Sequence, residues 1–406
     1  LQAIGPLWHD QPQAALLRRG RFREGSGPPS PLAGRVRSAG RAAATLRNRV
    51  VARHGQEKLE IHMYRLDEKL ARIRAGRYTR DDFIIADAKD GDMGPSITSC
   101  GPKRDKDGSY TRNYTRAEFL DNVRAIIEQD VVDIMLTSAS NFETLKAMGA
   151  FQGSAVKPAI RANDTTDIWF GRGGSYSKKP SRPFRTASLS RVTTGTIDPA
   201  PGAPLTGTDL GLYSITFNND IEHDLASLEA FADFRYDAAL NNFKYFLEVF
   251  NPNVDGDIDP SVLPFYVNDC IARCLAGVMA ADRPQFLKIV YNGPKALEEL
   301  ASYDPGLVVG VLGGGAGTTR DCFELIYQAE KYGARVALFG RKINLAEDPL
   351  SLVRHMRAVA SGHILPEEAV RSYHGDLQQA GIKPLREQAA DSIITEKPLL
   401  AGATGK

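Results

Sequence analysis

From about Gln56 onward, short apolar runs alternate with stretches whose apolar residues recur at helical spacing. Phe83-Ile84-Ile85-Ala86, 131–136 and Ala159-Ile160-Arg161-Ala162 are the first three runs; 212–217, 245–250, 286–290, 307–312 and 335–339 are the other five. Between them the spacing predicts helices over 115–129, 141–148, 222–242, 261–281, 294–302 and 319–332, with 349–361 after the last run. An earlier amphipathic helix, 56–74, is carried by Leu59, Met63, Leu66, Leu70 and Ile73. Strands that are apolar at nearly every position belong to a parallel sheet buried on both faces. Eight strand–helix units within about 260 residues fit a closed (β/α)8 TIM barrel better than an open Rossmann-like sheet.

The composition is that of a globular chain: 406 residues, 42% hydrophobic and 25% charged, with 37 Gly and 23 Pro. Collagen-like, coiled-coil and wholly disordered readings fall away. Residues 1–55 hold ten Arg, no Lys and only Asp10 and Glu24, a net +8 against +2 for the whole chain. This arm is expected to be disordered and distinct from a single barrel domain over 56–400, which carries an insertion at 171–211. Its Arg-rich, acid-poor character resembles a transit peptide, and its initial Leu suggests a processed start or an over-extended reading frame. Without the arm the body is mildly acidic, so no nucleic-acid partner is expected. No apolar run approaches the length of a membrane span. Cys100, Cys270, Cys274 and Cys322 form no disulfide framework and follow no secretory signal, which points to a reducing, cytoplasmic setting. A homo-oligomer is open, although no apolar stripe marks an interface.

Lys288 stands out first, in Gln285-Phe286-Leu287-Lys288-Ile289-Val290-Tyr291, within the sixth strand. Desolvation in a barrel strand disfavours a charged amine, and a neutral amine is what Schiff-base formation requires; the bland alternative is a lysine paired with a buried carboxylate. Glu248, in Phe246-Leu247-Glu248-Val249-Phe250 of the preceding strand, is the natural neighbour, as proton carrier or as structural ion-pair partner. The first strand ends Asp87-Ala88-Lys89-Asp90-Gly91-Asp92, where alternation puts Asp87 and Lys89 on one face. Catalytic contact, a divalent-metal cluster and a polar turn are all open for this segment.

Gly313-Gly314-Gly315-Ala316-Gly317-Thr318-Thr319 follows the seventh strand and Gly340-Arg341 the eighth. Barrels acting on phosphorylated substrates hold phosphate at these two loops. Glycine N–H groups, the helix start at Thr318 or Thr319 and the charge of Arg341 suit that role. A plain tight turn is the alternative. The glycines match neither a dinucleotide fingerprint nor a P-loop. The insertion carries Arg172, Lys178, Lys179, Arg182, Arg185 and Arg191 within 171–192, a basic lid or a solvated loop whose Gly and Pro argue against regular structure. Asp255-Gly256-Asp257-Ile258-Asp259 resembles a calcium loop, but Pro260 occupies the position that needs Gly.

Over about residues 80–345 the chain resembles class I, Schiff-base aldolases of the deoxyribose-phosphate, tagatose-bisphosphate and archaeal-type fructose-bisphosphate group. The likeness rests on Phe286-Leu287-Lys288-Ile289-Val290-Tyr291 and on the pairing of the Gly313–Gly317 loop with Phe339-Gly340-Arg341. It implies that Lys288 forms the Schiff base and that Glu248 is an acid/base residue, with no cofactor and no metal. Archaeal-type enzymes use a tyrosine after strand five, where this chain has Phe250-Asn251-Pro252; Tyr291 or Glu248 would take that role. The implied reaction is carbon–carbon cleavage or formation on a phosphorylated sugar or ketone. The rival readings are a lysine-dependent acyl transferase or isomerase, a metal-dependent lyase built on Asp87, Asp90 and Asp92, and a sugar-phosphate binding protein without catalysis.

Overall fold

The computed structural model describes residues 63–403 apart from 170, 315 and 316. Helix α1 (Arg65–Arg74) is the described part of the helix expected over 56–74. The remainder of that helix, like the arm at 1–55, lies outside the described residues. Eight strands then form one closed parallel barrel: β1 (Ile84–Lys89), β2 (Ile134–Thr137), β3 (Lys157–Arg161), β4 (Leu210–Thr216), β5 (Lys244–Phe250), β6 (Leu287–Ile289), β7 (Gly310–Leu312) and β8 (Val336–Phe339). Each strand pairs with its sequence neighbours, and β1 closes on β8 through Ile84–Val336 and Asp87–Phe339. This is the (β/α)8 barrel that the hydrophobic pattern predicts.

Helices α2 (Arg116–Gln129), α3 (Ala139–Ala147), α4 (Ile221–Leu240), α5 (Leu263–Leu275), α6 (Pro294–Tyr303), α7 (Thr319–Lys331) and α8 (Pro349–Ala360) clad the barrel, followed by α9 (Pro366–Ala380) and α10 (Lys397–Ala403). Their starts are written in the sequence. Thr115 with Glu118 and Thr318 with Asp321 form reciprocal caps on α2 and α7, and Pro294 opens α6, where a missing N–H costs nothing. Among the described residues, no helix is long and apolar enough to cross a membrane.

The insertion after β3 departs from the loop that its glycines and prolines suggest. Pro183–Phe184 pairs antiparallel with Asp164–Thr165, and Leu189–Thr194 forms a short helix. Side chains outweigh the local breakers here: Trp169 lies against Phe184 with centroids 5.2 Å apart, and the Asn253 amide donates to the carbonyls of Ser177 and Lys179.

Apolar side chains fall into two layers. Ile84, Ala86, Ile134, Leu136, Ala159, Leu212, Phe246, Phe286 and Leu338 fill the barrel, with the Phe246 and Phe286 rings stacked at 4.6 Å. Ile85, Met135, Ile160, Tyr213, Leu247 and Leu287, of opposite parity, pack outward beneath the helices. Leu66 and Leu70 of α1 join the inner layer and close the N-terminal end of the barrel. That closure is anchored by Asp133, fully buried, which accepts the Ile85 N–H and pairs with Arg65, Lys69 and Arg357 of α1 and α8. Burial pushes the Lys69 ammonium down to about 8, and Asp133 is the charge that opposes this.

Removing one partner of a buried ion pair leaves an uncompensated charge. Asp133→Ala is therefore expected to cost about 3–5 kcal/mol in urea unfolding, and a loss below about 1 kcal/mol, the range of surface pairs, would contradict this anchoring role.

Candidate active site

The site is built from inward-facing positions at the C-terminal ends of the strands, where barrel enzymes carry their chemistry. Lys288 shares parity with Phe286 of the inner core and is in register with Glu248 of β5, itself in register with Ser214 of β4. Lys288 Nζ lies 2.6 Å from Glu248 Oε1. The Ser214 hydroxyl donates to Glu248 Oε2 at 2.6 Å. Arg161, the last residue of β3, donates to Ser214 Oγ at 2.8 Å, stands 3.5 Å from Glu248 Oε2 and donates to Asp90 Oδ2 at 2.8 Å.

The result is a chain of alternating charge, Lys288–Glu248–Arg161–Asp90, with every member no more than 9% exposed. Burial raises the Asp90 carboxyl, but Arg161 and then Lys288 outweigh it and hold Asp90 below its ordinary value. Burial likewise disfavours the Arg161 charge, and Asp90, Glu248 and Asp164 more than restore it. Asp164 has the opposite outcome: burial prevails over Arg161 and pushes its carboxyl up to about 6. Asn163 ties the assembly to β4 by accepting the Ser214 N–H and donating to its carbonyl.

Above this chain lies a cavity of about 340 Å³, lined by Lys288, Glu248, Arg161 and Asp90 and bounded by Gly313, Gly314, Gly340 and Arg341. The loop ends after β7 and β8 thus meet over the lysine. Their glycines are required by contact: a Cβ at Gly340 would strike the Ala88 carbonyl, one at Gly313 would strike the Phe339 ring, and Gly314 has φ +62°. Arg341 is exposed and reaches the Gly314 carbonyl at 3.4 Å. Gly315 lies outside the described residues.

Several sequence-derived assignments need correction. Asp87 and Lys89 do share a face, but it is the outer one, with the parity of Ile85, while Asp90 turns inward with Ile84 and Ala86. Lys89 ends its strand and still borders the cavity, yet its ammonium pairs with Asp87, at 3.3 Å, and not with the Lys288 chain. Tyr291 also turns outward, and its hydroxyl donates to Gln328 at 2.6 Å beneath α7, so it is no proton donor to the cavity. The Gly313 N–H is committed to the Leu338 carbonyl, and the start of α7 is filled by the Thr318–Asp321 cap and by Asp391, which accepts the Thr319 N–H. Neither is free for an anion.

The carboxylates of the Asp87–Asp92 segment diverge: Asp87 faces Lys89, Asp90 faces Arg161, and Asp92 accepts from Ser138 and Asn141. Among the described residues, no group of three or more His, Cys, Asp or Glu is arranged to hold a metal ion. The basic residues of 171–192 do not line the cavity, and Arg185 is paired with Asp237 of α4. Arg161 and Ser214 have no role in the sequence reading, although an arginine inside the run Ala159-Ile160-Arg161-Ala162 is the same kind of signal as Lys288.

No family model and no curated protein matches the chain. Solved structures do. An archaeal fructose 1,6-bisphosphate aldolase superposes with a TM-score of 0.51 at 16% identity, over 73% of this chain and 99% of that one. A Schiff-base-forming fructose-1,6-bisphosphate aldolase gives 0.51 at 15%, over 73% and 99%. An archaeal fructose-1,6-bisphosphate aldolase with its catalytic lysine bound to the carbinolamine intermediate gives 0.51 at 17%, over 73% and 100%. At these identities the likeness shows the barrel fold.

Burial pushes Asp87 up to about 6, against Lys89. With Asp87 and Asp164 both above the ordinary carboxyl range, the folded chain holds protons that the unfolded chain has released. Their contribution to stability is therefore expected to fall as pH rises from about 4 to about 6, by up to roughly 3 kcal/mol per group. The slope of the denaturant midpoint against pH across that window should be more positive in Asp87→Asn than in the unmodified chain, whatever its absolute stability; an unchanged slope would refute the assignment.

Proposed function

We propose that the chain is a class I aldolase, a carbon–carbon lyase acting on a phosphorylated sugar or ketone through a Schiff base on Lys288. The observation that carries this reading is the 2.6 Å contact between Lys288 Nζ and Glu248 Oε1 at the floor of a cavity rimmed by the loops after β7 and β8. The volume suits a small metabolite, and the barrel likeness to Schiff-base aldolases supports the same reading.

Glu248 takes a proton from the Lys288 ammonium, and the free amine attacks the ketone carbon. The nitrogen of the adduct gives a proton to the former carbonyl oxygen, forming a carbinolamine. Glu248 then returns its proton to that hydroxyl, which leaves as water, and the iminium remains. Glu248, again a carboxylate, removes the proton from the substrate hydroxyl beyond the bond to be broken. The electron pair of that bond moves toward the iminium nitrogen, releasing an aldehyde and leaving an enamine. Protonation of the enamine carbon by Glu248 and hydrolysis of the iminium by water release the shorter ketone. One carboxylate thus serves each proton transfer assigned to a protein side chain, which fits the absence of Tyr291 from the cavity. Ser214 and Arg161 position it by holding Oε2 while Oε1 faces the amine. Arg341, with the backbone at Gly314 and Gly340, is assigned to the substrate phosphate.

Borohydride reduction in the presence of dihydroxyacetone phosphate or related phosphorylated ketones should attach the ketone to Lys288, as read by peptide mass spectrometry, and Lys288→Met should abolish the adduct. Glu248→Gln should lower kcat by roughly 10²–10⁴-fold, while Arg341→Ala should act mainly on KM. An adduct on another lysine, or none from folded protein with any of these ketones, would overturn the proposal.

A further inference from the structure

Polar and apolar side chains divide the rim of the Lys288 cavity. Lys89, Ser99, Asn344 and Arg341 stand on the side of β1 and β8, where Asn344 donates to the Ser99 carbonyl. From Gly94 and Pro95 through Ile168 of the insertion to Phe250 of β5, the described rim carries no polar side chain. Phe250 shares the parity of Phe246 and Glu248, so it stands on the inward face one pleat above the Glu248 carboxylate, about 7 Å further along the strand. Ile168 is held by its N–H on the Thr165 carbonyl, and both side chains are half-buried at the cavity wall.

The polar groups nearest this apolar rim are turned on one another. Thr216, in register with Phe250, donates to Asp167 Oδ2 at 3.0 Å, and Asp167 Oδ1 accepts from Ser181 at 2.9 Å. None of the three lines the cavity. Arg161 is committed as well, through Nε to the Asn163 carbonyl, Nη1 to Asp90 and Nη2 to Ser214. In the proposed reaction Glu248 takes the proton of the hydroxyl that becomes the aldehyde oxygen, so the aldehyde carbon lies at Glu248 and its further carbons run past Phe250 and Ile168. A hydroxyl or phosphate there would give up water without a hydrogen bond in return, whereas an alkyl or aryl group would bury apolar surface.

We infer that the aldehyde partner of the reaction is apolar beyond its carbonyl group, an alkyl or aryl aldehyde in place of a hydroxylated or phosphorylated one, and that Phe250 and Ile168 set this preference. The inference rests on the Schiff-base reading of Lys288 and Glu248. The substrate is then a singly phosphorylated hydroxyketone with an apolar tail, its one phosphate at Arg341.

The test runs the full chain in the direction of bond formation, with dihydroxyacetone phosphate as the ketone and propanal, benzaldehyde, glyceraldehyde or glyceraldehyde 3-phosphate as the aldehyde. The Lys288 enamine carbon bonds to the aldehyde carbon, Glu248 gives its proton to the aldehyde oxygen, and hydrolysis of the iminium frees a product read by mass spectrometry. The kcat/KM for propanal is expected to exceed that for glyceraldehyde, which has the same number of carbons, by about tenfold or more. Phe250→Ser and, separately, Ile168→Ser should bring that ratio toward one, a change in specificity that a purely structural role would not produce. A preference for glyceraldehyde or its phosphate, or a propanal preference that neither variant alters, would overturn the inference. Borohydride trapping of dihydroxyacetone phosphate on Lys288 needs no aldehyde: its absence would sink the Schiff-base reading and this inference with it, whereas an adduct followed by the wrong aldehyde preference would sink this inference alone.

Discussion

Four ionised side chains share the floor of this barrel, and none can be there alone. Placing a charge away from water is prohibitive unless an opposite charge and hydrogen bonds meet it. The order Lys288, Glu248, Arg161, Asp90 gives each member an opposite neighbour, and Ser214 takes up hydrogen-bonding capacity between two of them. The register of β4, β5 and β6 is therefore constrained by chemistry as well as by packing: a one-residue slip of β6 would turn Lys288 into the apolar outer layer and leave Glu248 without its partner.

The barrel divides its buried charge between its two ends. At the N-terminal end Asp133 gathers Arg65, Lys69 and Arg357 around the first turns of β1 and β2, which fastens α1 and α8 to the sheet. At the C-terminal end the charges border a cavity, and side chains that complete their pairing leave the amine of Lys288 facing space that a substrate can enter. The same kind of interaction stabilises in one place and prepares a reaction in the other. What differs is whether the pair is packed under helices or, as beside Gly313, Gly314 and Gly340, borders an open cavity.

Much of this was legible in the residues. A polar side chain inside an apolar strand is costly, so Lys288 and Glu248 announce themselves, and adjacency of consecutive strands brings them together. Alternation also relates Asp87 to Lys89, but it does not say which face points inward. Phe83, Ile85, Ile84 and Ala86 are all apolar because both faces of β1 are buried, and only the closed sheet shows that Asp90 is the inward residue. Tyr291, after β6, is the same ambiguity. The helix start at Thr319 reads as an anion site in isolation; Asp391, more than seventy residues away, already occupies it. In the insertion, breakers at 171–192 are overruled by Trp169 and Asn253, contacts that no local pattern contains.

The central claim is that a substrate carbonyl becomes an iminium on Lys288. An iminium cannot form without surrendering the carbonyl oxygen to solvent, so the most direct measurement is the loss of ¹⁸O from carbonyl-labelled dihydroxyacetone phosphate and related phosphorylated ketones, followed by mass spectrometry. The account predicts that the protein accelerates this loss well above the spontaneous rate, and that Lys288→Met returns it to the spontaneous rate. Cleavage that proceeds with the label retained in the ketone product, or acceleration that survives Lys288→Met, would contradict it.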